Sequence, residues 1–174
     1  MKKYAVTGPS CSGKTRLIKE LGKLGFYTAR ECAAEYILEQ KAKGIEKPWL
    51  VPSFQPEVLK LHLAEEEKIP LNVSVAFVDR GIHDALAFFR YRNQEVHADL
   101  AARIKALKRY DQVFELKPLP FFEHENFRVE KDVKEANRIF EMIRKEYEFD
   151  GYDLIIVPSI SLDDRVKFIL NIIK

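Results

Sequence analysis

Residues 8–15 of this 174-residue chain read Gly-Pro-Ser-Cys-Ser-Gly-Lys-Thr and match G-x-x-x-x-G-K-[ST] at every fixed position. The glycines at positions 8 and 13 permit backbone angles and close approaches that a Cβ would obstruct. The Lys14 ammonium in such a motif reaches the β- and γ-phosphates of a nucleotide, and the Thr15 hydroxyl is a ligand for Mg²⁺. The spacing therefore predicts a phosphate-binding P-loop rather than an ordinary glycine turn.

Nucleotide binding is assigned to this loop, to the residue after it and to a proline that ends the last predicted strand. The set is Gly8, Pro9, Ser10, Cys11, Ser12, Gly13, Lys14, Thr15, Arg16 and Pro158. Cys11 has an alternative role, because the lysine and the helix dipole favour a thiolate inside the loop. A redox function and a simple spacer are both open for this residue.

An acidic and a basic residue follow the apolar run at positions 75–78. Asp79 ends this predicted strand in the Walker B pattern, which puts a negative charge near Mg²⁺ beside the P-loop. Turn capping is the alternative for Asp79. Arg80 comes next, and an arginine at the mouth of a phosphate site can hold transferring oxygens bidentately. A surface salt bridge is the alternative for Arg80.

Two further residues are candidates for the reaction itself. Glu31 directly follows the second predicted strand, so it shares the carboxyl edge of the sheet with the P-loop. A carboxylate there can accept the proton of an attacking hydroxyl, and a helix N-cap is its alternative. Arg128, with Lys131 near it, lies in an irregular segment over 118–131. We interpret this segment as a basic lid that closes on phosphates, with a solvated charge run as the alternative.

Several side chains on or beside the predicted helices could shape a pocket for a second substrate. They are Trp49, Phe54, His62, His83 and Asp84. Packing in the core is the alternative for each, because a helical histidine or aromatic residue is more often a packing residue than a ligand.

Apolar periodicity supplies the elements that must position these residues. Short, mostly apolar segments of strand length lie at about 4–7, 26–29, 73–78, 112–116 and 154–157. They alternate with segments whose apolar residues recur at helical spacing, and Asp132-x-x-Glu135 and Ser161-x-x-Asp164 mark two helix starts. Strands that are apolar on both faces and separated by helices form a parallel sheet covered on each side. We predict an α/β fold, a three-layer α/β/α sandwich with a five-stranded parallel sheet, as one domain over residues 1–174.

The composition argues against several classes of protein. Lys plus Arg number 29 against 27 Asp plus Glu, and this formal charge of +2 is too balanced for a dedicated nucleic-acid or membrane-surface protein. The longest purely apolar run has about five residues, so no membrane span is expected. Two cysteines and a start without an apolar leader predict a reduced, cytoplasmic protein.

With these motifs the sequence resembles the nucleoside- and nucleotide-kinase-like group of P-loop NTPases. The segments Arg30-Glu31-Cys32-Ala33-Ala34-Glu35-Tyr36-Ile37 and Asp79-Arg80-Gly81-Ile82-His83-Asp84-Ala85 look most like a small ATPase family of the AAA type. That family is similar to the ribosylnicotinamide-kinase domain of bacterial NAD regulators and to an animal channel-trafficking protein that binds GTP. The chain has no N-K-x-D or T-K-x-D tetrapeptide of the kind used for guanine recognition by Ras-like GTPases.

The resemblance implies a role for each candidate. It implies a P-loop strand in the middle of the sheet, Lys14, Thr15 and Asp79 at a magnesium nucleotide, Arg80 and Arg128 on phosphates, and Glu31 as general base facing the acceptor. The sequence thus favours a kinase of the nucleoside-kinase type that uses Mg²⁺ and ATP, with GTP as an alternative, and phosphorylates a small-molecule hydroxyl. A nucleotide-dependent hydrolase or switch with a protein or lipid partner is the second interpretation. Nucleic-acid binding is disfavoured by the near-neutral charge.

Overall fold

The structure is a computed structural model that describes residues 1–107, 109–119 and 132–173. Within these ranges the strands are β1 (Lys2–Thr7), β2 (Tyr27–Ala29), β3 (Val75–Asp79), β4 (Gln112–Leu116) and β5 (Leu154–Val157). The helices are α1 (Lys14–Lys23), α2 (Ala33–Ala42), α3 (Phe54–Glu67), α4 (Ile82–Tyr91), α5 (Ala98–Ala106), α6 (Val133–Phe149) and α7 (Leu162–Ile172), with a 3-10 helix at Pro48–Leu50. Arg128 and most of the predicted lid lie outside the described residues.

All five strands form one parallel sheet in the order β2-β3-β1-β4-β5. The P-loop strand β1 is therefore central, and the predicted five-stranded parallel α/β architecture is confirmed. The register pairs Val6 with Asp79 and Thr7 with Glu115. Because parallel strands end at the same edge, the residues after β1, β2 and β3 meet there.

Side chains along each strand alternate between two apolar layers, as the pleat requires. One face packs under α1 and α7 and contains Tyr4, Val6, Phe77, Phe114, Leu17, Leu21 and Ile169. The other packs under α4 and α6 and contains Ala5, Ala76, Val78, Val113, Ala87, Ile139 and Ile143. The central strands are thus buried on both sides, which holds the carboxyl ends of the strands in fixed positions.

Helix α3 belongs to a smaller apolar cluster beside the sheet. Its Leu59 and Leu63 pack with Ile82 and Phe89 of α4 and with Leu100 of α5. Because α4 begins just after Asp79, this packing brings α3 alongside the edge of the sheet where the candidate residues lie.

The element ends follow the sequence pattern closely. β4 and β5 have the predicted bounds, whereas β3 begins two residues later than predicted and includes Asp79. The Asp132 side chain accepts the Glu135 N–H at 2.8 Å, and Ser161 Oγ accepts the Asp164 N–H at 3.2 Å, so both predicted caps are confirmed. Of the helices in the part of the chain that is described, none is long and apolar enough to span a bilayer.

Candidate functional site

The P-loop lies between β1 and α1. Gly8 has a φ of 150°, and a Cβ there would stand 2.8 Å from the Leu116 carbonyl oxygen, so a side chain would clash with the end of β4. Gly13 has a φ of 86° and precedes α1 without a side-chain cap. The first turn of α1 has no acidic residue. Its backbone N–H groups therefore suit an anion such as a phosphate.

Lys14 is buried inside this loop. Its Nζ donates to the carbonyl oxygens of Gly8 and Pro9, both at 2.9 Å, and lies 3.4 Å from Ser12 Oγ. Burial, followed by repulsion from Arg80, lowers the pKa of Lys14 to about 8. A phosphate in the loop would supply the counter-charge that favours the ammonium form.

Asp79 ends β3 next to the P-loop and is 2% exposed. Its carboxylate accepts a hydrogen bond from the Thr15 side chain, while Oδ1 is buried and has no hydrogen-bond partner among the described residues. Burial and then repulsion from Glu31 raise the pKa of Asp79 to about 6. A buried carboxylate oxygen without a partner is unfavourable, and a bound cation would compensate it.

Mg²⁺ is the metal that this set of donors fits. The described ranges contain no group of three or more His, Cys, Asp or Glu side chains that could hold a metal ion by themselves. Mg²⁺ needs no such cage, since it binds through one or two carboxylates together with the phosphates of a nucleotide. Asp79 and Thr15 are therefore residues that could hold Mg²⁺ when a nucleotide is present.

Arg80 bridges two carboxylates beside the loop. Its Nε donates to Glu31 Oε1 at 3.1 Å and its Nη1 to Asp84 Oδ1 at 3.1 Å. The residue is 9% exposed, so its two ion pairs are buried rather than on the surface. Its φ of 64° lies in the left-handed region, which is unfavourable for arginine and common at functional sites.

Glu31 is half-buried at the carboxyl edge of the sheet. Burial alone would raise the pKa of Glu31, but the positive charges of Arg80 and Lys14 hold it below its usual value, so the carboxylate is ionised near neutral pH. The N-cap position of α2 is Cys32, and it has no side-chain cap. The helix-cap alternative for Glu31 is therefore wrong.

Asp84 holds the Arg80 guanidinium in place, a role that was not predicted from the sequence. This buried carboxylate accepts hydrogen bonds from Thr7 Oγ1 at 2.9 Å and from the Tyr147 hydroxyl at 2.7 Å, in addition to Arg80. The spacing of Arg80 and Asp84, four residues apart at the start of a helix, could have indicated their pairing. The contributions of Thr7 and Tyr147 depend on tertiary packing and have no local signal.

The remaining predicted nucleotide-binding residues lie around the loop. Pro9 and Ser12 are buried, Ser10 is half-buried, and Arg16 is exposed in the first turn of α1. Cys11 is half-buried with a φ of 60°. Pro158 directly follows β5, and its carbonyl oxygen accepts a hydrogen bond from Arg165 Nε at 3.0 Å. Arg165 links Pro158 to the P-loop, because its Nη1 also donates to the Ser12 carbonyl oxygen.

The candidate pocket residues divide into two groups. Phe54 packs in an apolar cluster with Ile37 and Val58, and Trp49 lies against it. His83 stacks on Tyr147, with ring centroids 4.5 Å apart. Phe54, Trp49 and His83 therefore pack against neighbouring side chains. His62 instead lies close enough to the Glu31 carboxylate for each to shift the pKa of the other.

Asp79→Asn is expected to remove most of the dependence of nucleotide affinity on Mg²⁺. The amide keeps the size of the side chain but loses the charge that a cation needs. Isothermal titration should show that Mg²⁺ raises the affinity of the wild type for ATP. In the variant this increase should be at least about tenfold smaller. Asp99→Asn, an exposed position on α5, is the matched control. The same gain in both proteins would argue against Asp79 as a metal-binding residue.

Solved structures with a similar fold include three kinase-related proteins. A deoxyadenosine kinase from M. mycoides superimposes with a TM-score of 0.66 at 17% identity, covering 98% of this chain and 98% of that chain. A thymidylate kinase from Ehrlichia chaffeensis gives a TM-score of 0.67 at 12% identity, covering 99% and 98%. The NadR protein in complex with NR gives 0.67 at 16% identity, covering 90% of this chain and 43% of that chain.

At these identities the structural likeness shows the fold, and it confirms the predicted resemblance in fold to the nucleoside- and nucleotide-kinase-like P-loop NTPases. No curated protein matches the chain. A family model described as an AAA domain matches residues 3–165, a range that includes the P-loop, Glu31 and Asp79. Because this match covers nearly the whole chain, the protein belongs to that AAA-domain family.

Proposed function

We propose that this protein is a kinase that transfers the γ-phosphoryl group of MgATP to a hydroxyl group of a small molecule. The observation that carries the proposal is the position of Glu31, an ionised carboxylate at the same sheet edge as the P-loop and paired with Arg80 at 3.1 Å. A carboxylate held in this way can accept the proton of an acceptor hydroxyl. The kinase folds of the three similar structures support this choice of reaction.

The P-loop side of the site would bind and orient the nucleotide. Lys14, which hydrogen-bonds to two loop carbonyls, would turn its ammonium to the phosphates, and the N–H groups at the start of α1 would complete the cradle. Asp79 and Thr15 would hold Mg²⁺, which when bound neutralises phosphate charge. Positioning and charge neutralisation supply most of the catalysis in reactions of this class.

Glu31 and Arg80 would activate the acceptor hydroxyl. Glu31 would take the proton of the acceptor hydroxyl as the new oxygen–phosphorus bond forms and the bond between the γ-phosphorus and the bridging oxygen breaks, releasing ADP. Arg80 would keep the carboxylate in place and ionised until the acceptor binds. Its second carboxylate partner, Asp84, is buried and holds the other side of the guanidinium.

A buried polar face on α3 supports a nucleoside-like acceptor. Gln55 and His62 are both 3% exposed and lie two helical turns apart, so they share one face. His62 is within electrostatic reach of Glu31, and Gln55 Nε2 has no hydrogen-bond partner in the described ranges. A buried amide N–H without a partner is unfavourable. An acceptor atom on the edge of a ligand ring could take its hydrogen bond. The deoxyadenosine kinase and the NadR protein in complex with NR are consistent with that class of ligand.

The proposal is tested by measuring ADP release from MgATP in the presence of separate nucleosides, deoxynucleosides, nicotinamide riboside and hydroxyl-bearing vitamins. At least one of these compounds should stimulate ADP release about tenfold or more over the rate without acceptor. The Lys14→Ala variant, assayed in parallel, identifies contaminating kinases. ADP release at one rate, whatever compound is present, would favour the hydrolase interpretation instead.

Gln55→Met is expected to raise KM for the stimulating compound about tenfold while KM for ATP stays unchanged. The thioether keeps the volume of the side chain but cannot donate a hydrogen bond, a loss worth about 1.5 kcal/mol. Steady-state kinetics with each substrate varied in turn measures both constants. Gln40→Met on α2 serves as the matched control. Equal KM values in the two variants would remove Gln55 from the acceptor pocket.

A further inference from the structure

Arg165, in the first half of α7, connects the P-loop to the ends of β4 and β5. The residue is 3% exposed. Its Nη1 donates to the Ser12 carbonyl oxygen at 2.5 Å, its Nε to that of Pro158 at 3.0 Å, and its Nη2 to that of Lys117 at 3.5 Å. These carbonyls follow β1, β5 and β4, respectively. One side chain therefore fixes the P-loop relative to two neighbouring strands.

The charge of this guanidinium has no acidic partner in the part of the chain that is described. Its hydrogen bonds there go to backbone carbonyls, and burial lowers the pKa of Arg165 below its ordinary value. A buried cation is costly unless an anion compensates it. A Cβ placed on Gly13 would stand 3.4 Å from Arg165 Nη1, so the positive charge lies directly against the loop.

The hydrogen bond to Ser12 also determines where a loop donor points. In a planar trans peptide the C=O of one residue and the N–H of the next point in opposite directions. The structure has no cis peptide bond among its described residues. Because the Ser12 carbonyl points toward Arg165, the Gly13 N–H points to the opposite side of the loop. Arg165 thus orients a donor of the anion-binding motif from outside that motif.

We propose that Arg165 is a positioning residue of the nucleotide site. It orients the peptide between Ser12 and Gly13 and places a buried positive charge behind the phosphates. Its bond to Pro158 ties the same loop to the end of β5. The inference rests on nucleotide binding at the P-loop, which belongs to the proposed function, and extends it to a residue that the G-x-x-x-x-G-K-[ST] pattern does not contain.

The test compares wild-type protein with Arg165→Met and Arg165→Lys, using MgATP and magnesium tripolyphosphate as ligands in isothermal titration well below the melting temperature. Arg165→Met should weaken both ligands at least about tenfold, because charge and peptide orientation act on the phosphates. Arg165→Lys keeps the charge but cannot bridge three carbonyls. The affinity of this variant for both ligands should therefore lie between those of the wild type and Arg165→Met. Lys167→Met, an exposed position on the same helix, is the matched control and should bind as wild type does.

A purely structural role for Arg165 would lower the melting temperature and leave both dissociation constants unchanged, and that result would overturn the inference. If Arg165→Met fails to fold, Arg165→Lys decides: an affinity equal to that of the wild type contradicts the proposed positioning role. Wild-type protein that binds neither ligand would overturn the proposed function itself. Failure of the inference and failure of the proposed function are therefore distinguishable.

Discussion

Replacing Lys14 by alanine is expected to weaken MgATP binding at least about 100-fold and to abolish measurable turnover. The substitution removes the ammonium that lies within the loop. It also leaves the Gly8 and Pro9 carbonyl oxygens, which Lys14 now binds at 2.9 Å, without this hydrogen-bond donor. Isothermal titration with MgATP measures the change.

Lys19→Ala is the control for this substitution, because Lys19 is exposed on the same helix. Circular dichroism should show the same helix content in both variants, since alanine is the most favourable helix residue and the Lys14 side chain lies in the loop rather than in an apolar cluster. Wild-type affinity for MgATP in Lys14→Ala would contradict the assignment of residues 8–15 as a phosphate-binding loop.

Glu31→Gln is expected to lower acceptor phosphorylation by about 10²- to 10⁴-fold, the usual contribution of a general base. Glutamine keeps the size of the side chain and an oxygen that can accept from Arg80, but it cannot take a proton. Hydrolysis of ATP without acceptor should change much less, because that reaction has no acceptor hydroxyl to deprotonate. Rates of ADP release with and without the stimulating compound separate the two effects.

Glu35→Gln is the matched control, since Glu35 lies one helical turn further along and its carboxylate pairs with Arg30 on the surface. An exposed ion pair of this kind contributes little, so this variant should phosphorylate the acceptor at the wild-type rate. Equal rates in Glu31→Gln and Glu35→Gln would mean that Glu31 is not the base.

Much of the fold and the core of the site could be predicted because their signals are local. The P-loop is a contiguous stretch that needs only a strand before it and a helix after it, and both are present. The bounds of β4 and β5 follow from a five-residue segment with three apolar residues, which ends before Lys117-Pro118, and from a four-residue apolar run, which ends before Pro158. Glu31 and Asp79 could be placed at one edge because parallel strands separated by helices end on the same side.

The residues that sequence reasoning missed act across long distances in the chain. Thr7 reaches Asp84, 77 residues away, and Arg165 reaches Ser12, 153 residues away. In the sequence Arg165 is one charge on an amphipathic helix, and nothing local distinguishes it from an exposed arginine. Gln55 lies near the start of α3, and only its burial in the folded chain marks it as a candidate binding residue. Such contacts depend on the order of the strands and on which helix faces pack against them.

Transfer of the γ-phosphoryl group to an acceptor, rather than to water, distinguishes a kinase from a hydrolase. The protein, MgATP and the stimulating compound are incubated in water enriched in ¹⁸O, and the products are analysed by mass spectrometry and ³¹P NMR. A kinase of the proposed type gives one phosphorylated acceptor for each ADP, and the transferred group contains no oxygen from the solvent. Inorganic phosphate with one solvent oxygen, as the sole phosphoryl product with and without the compound, would contradict the kinase assignment.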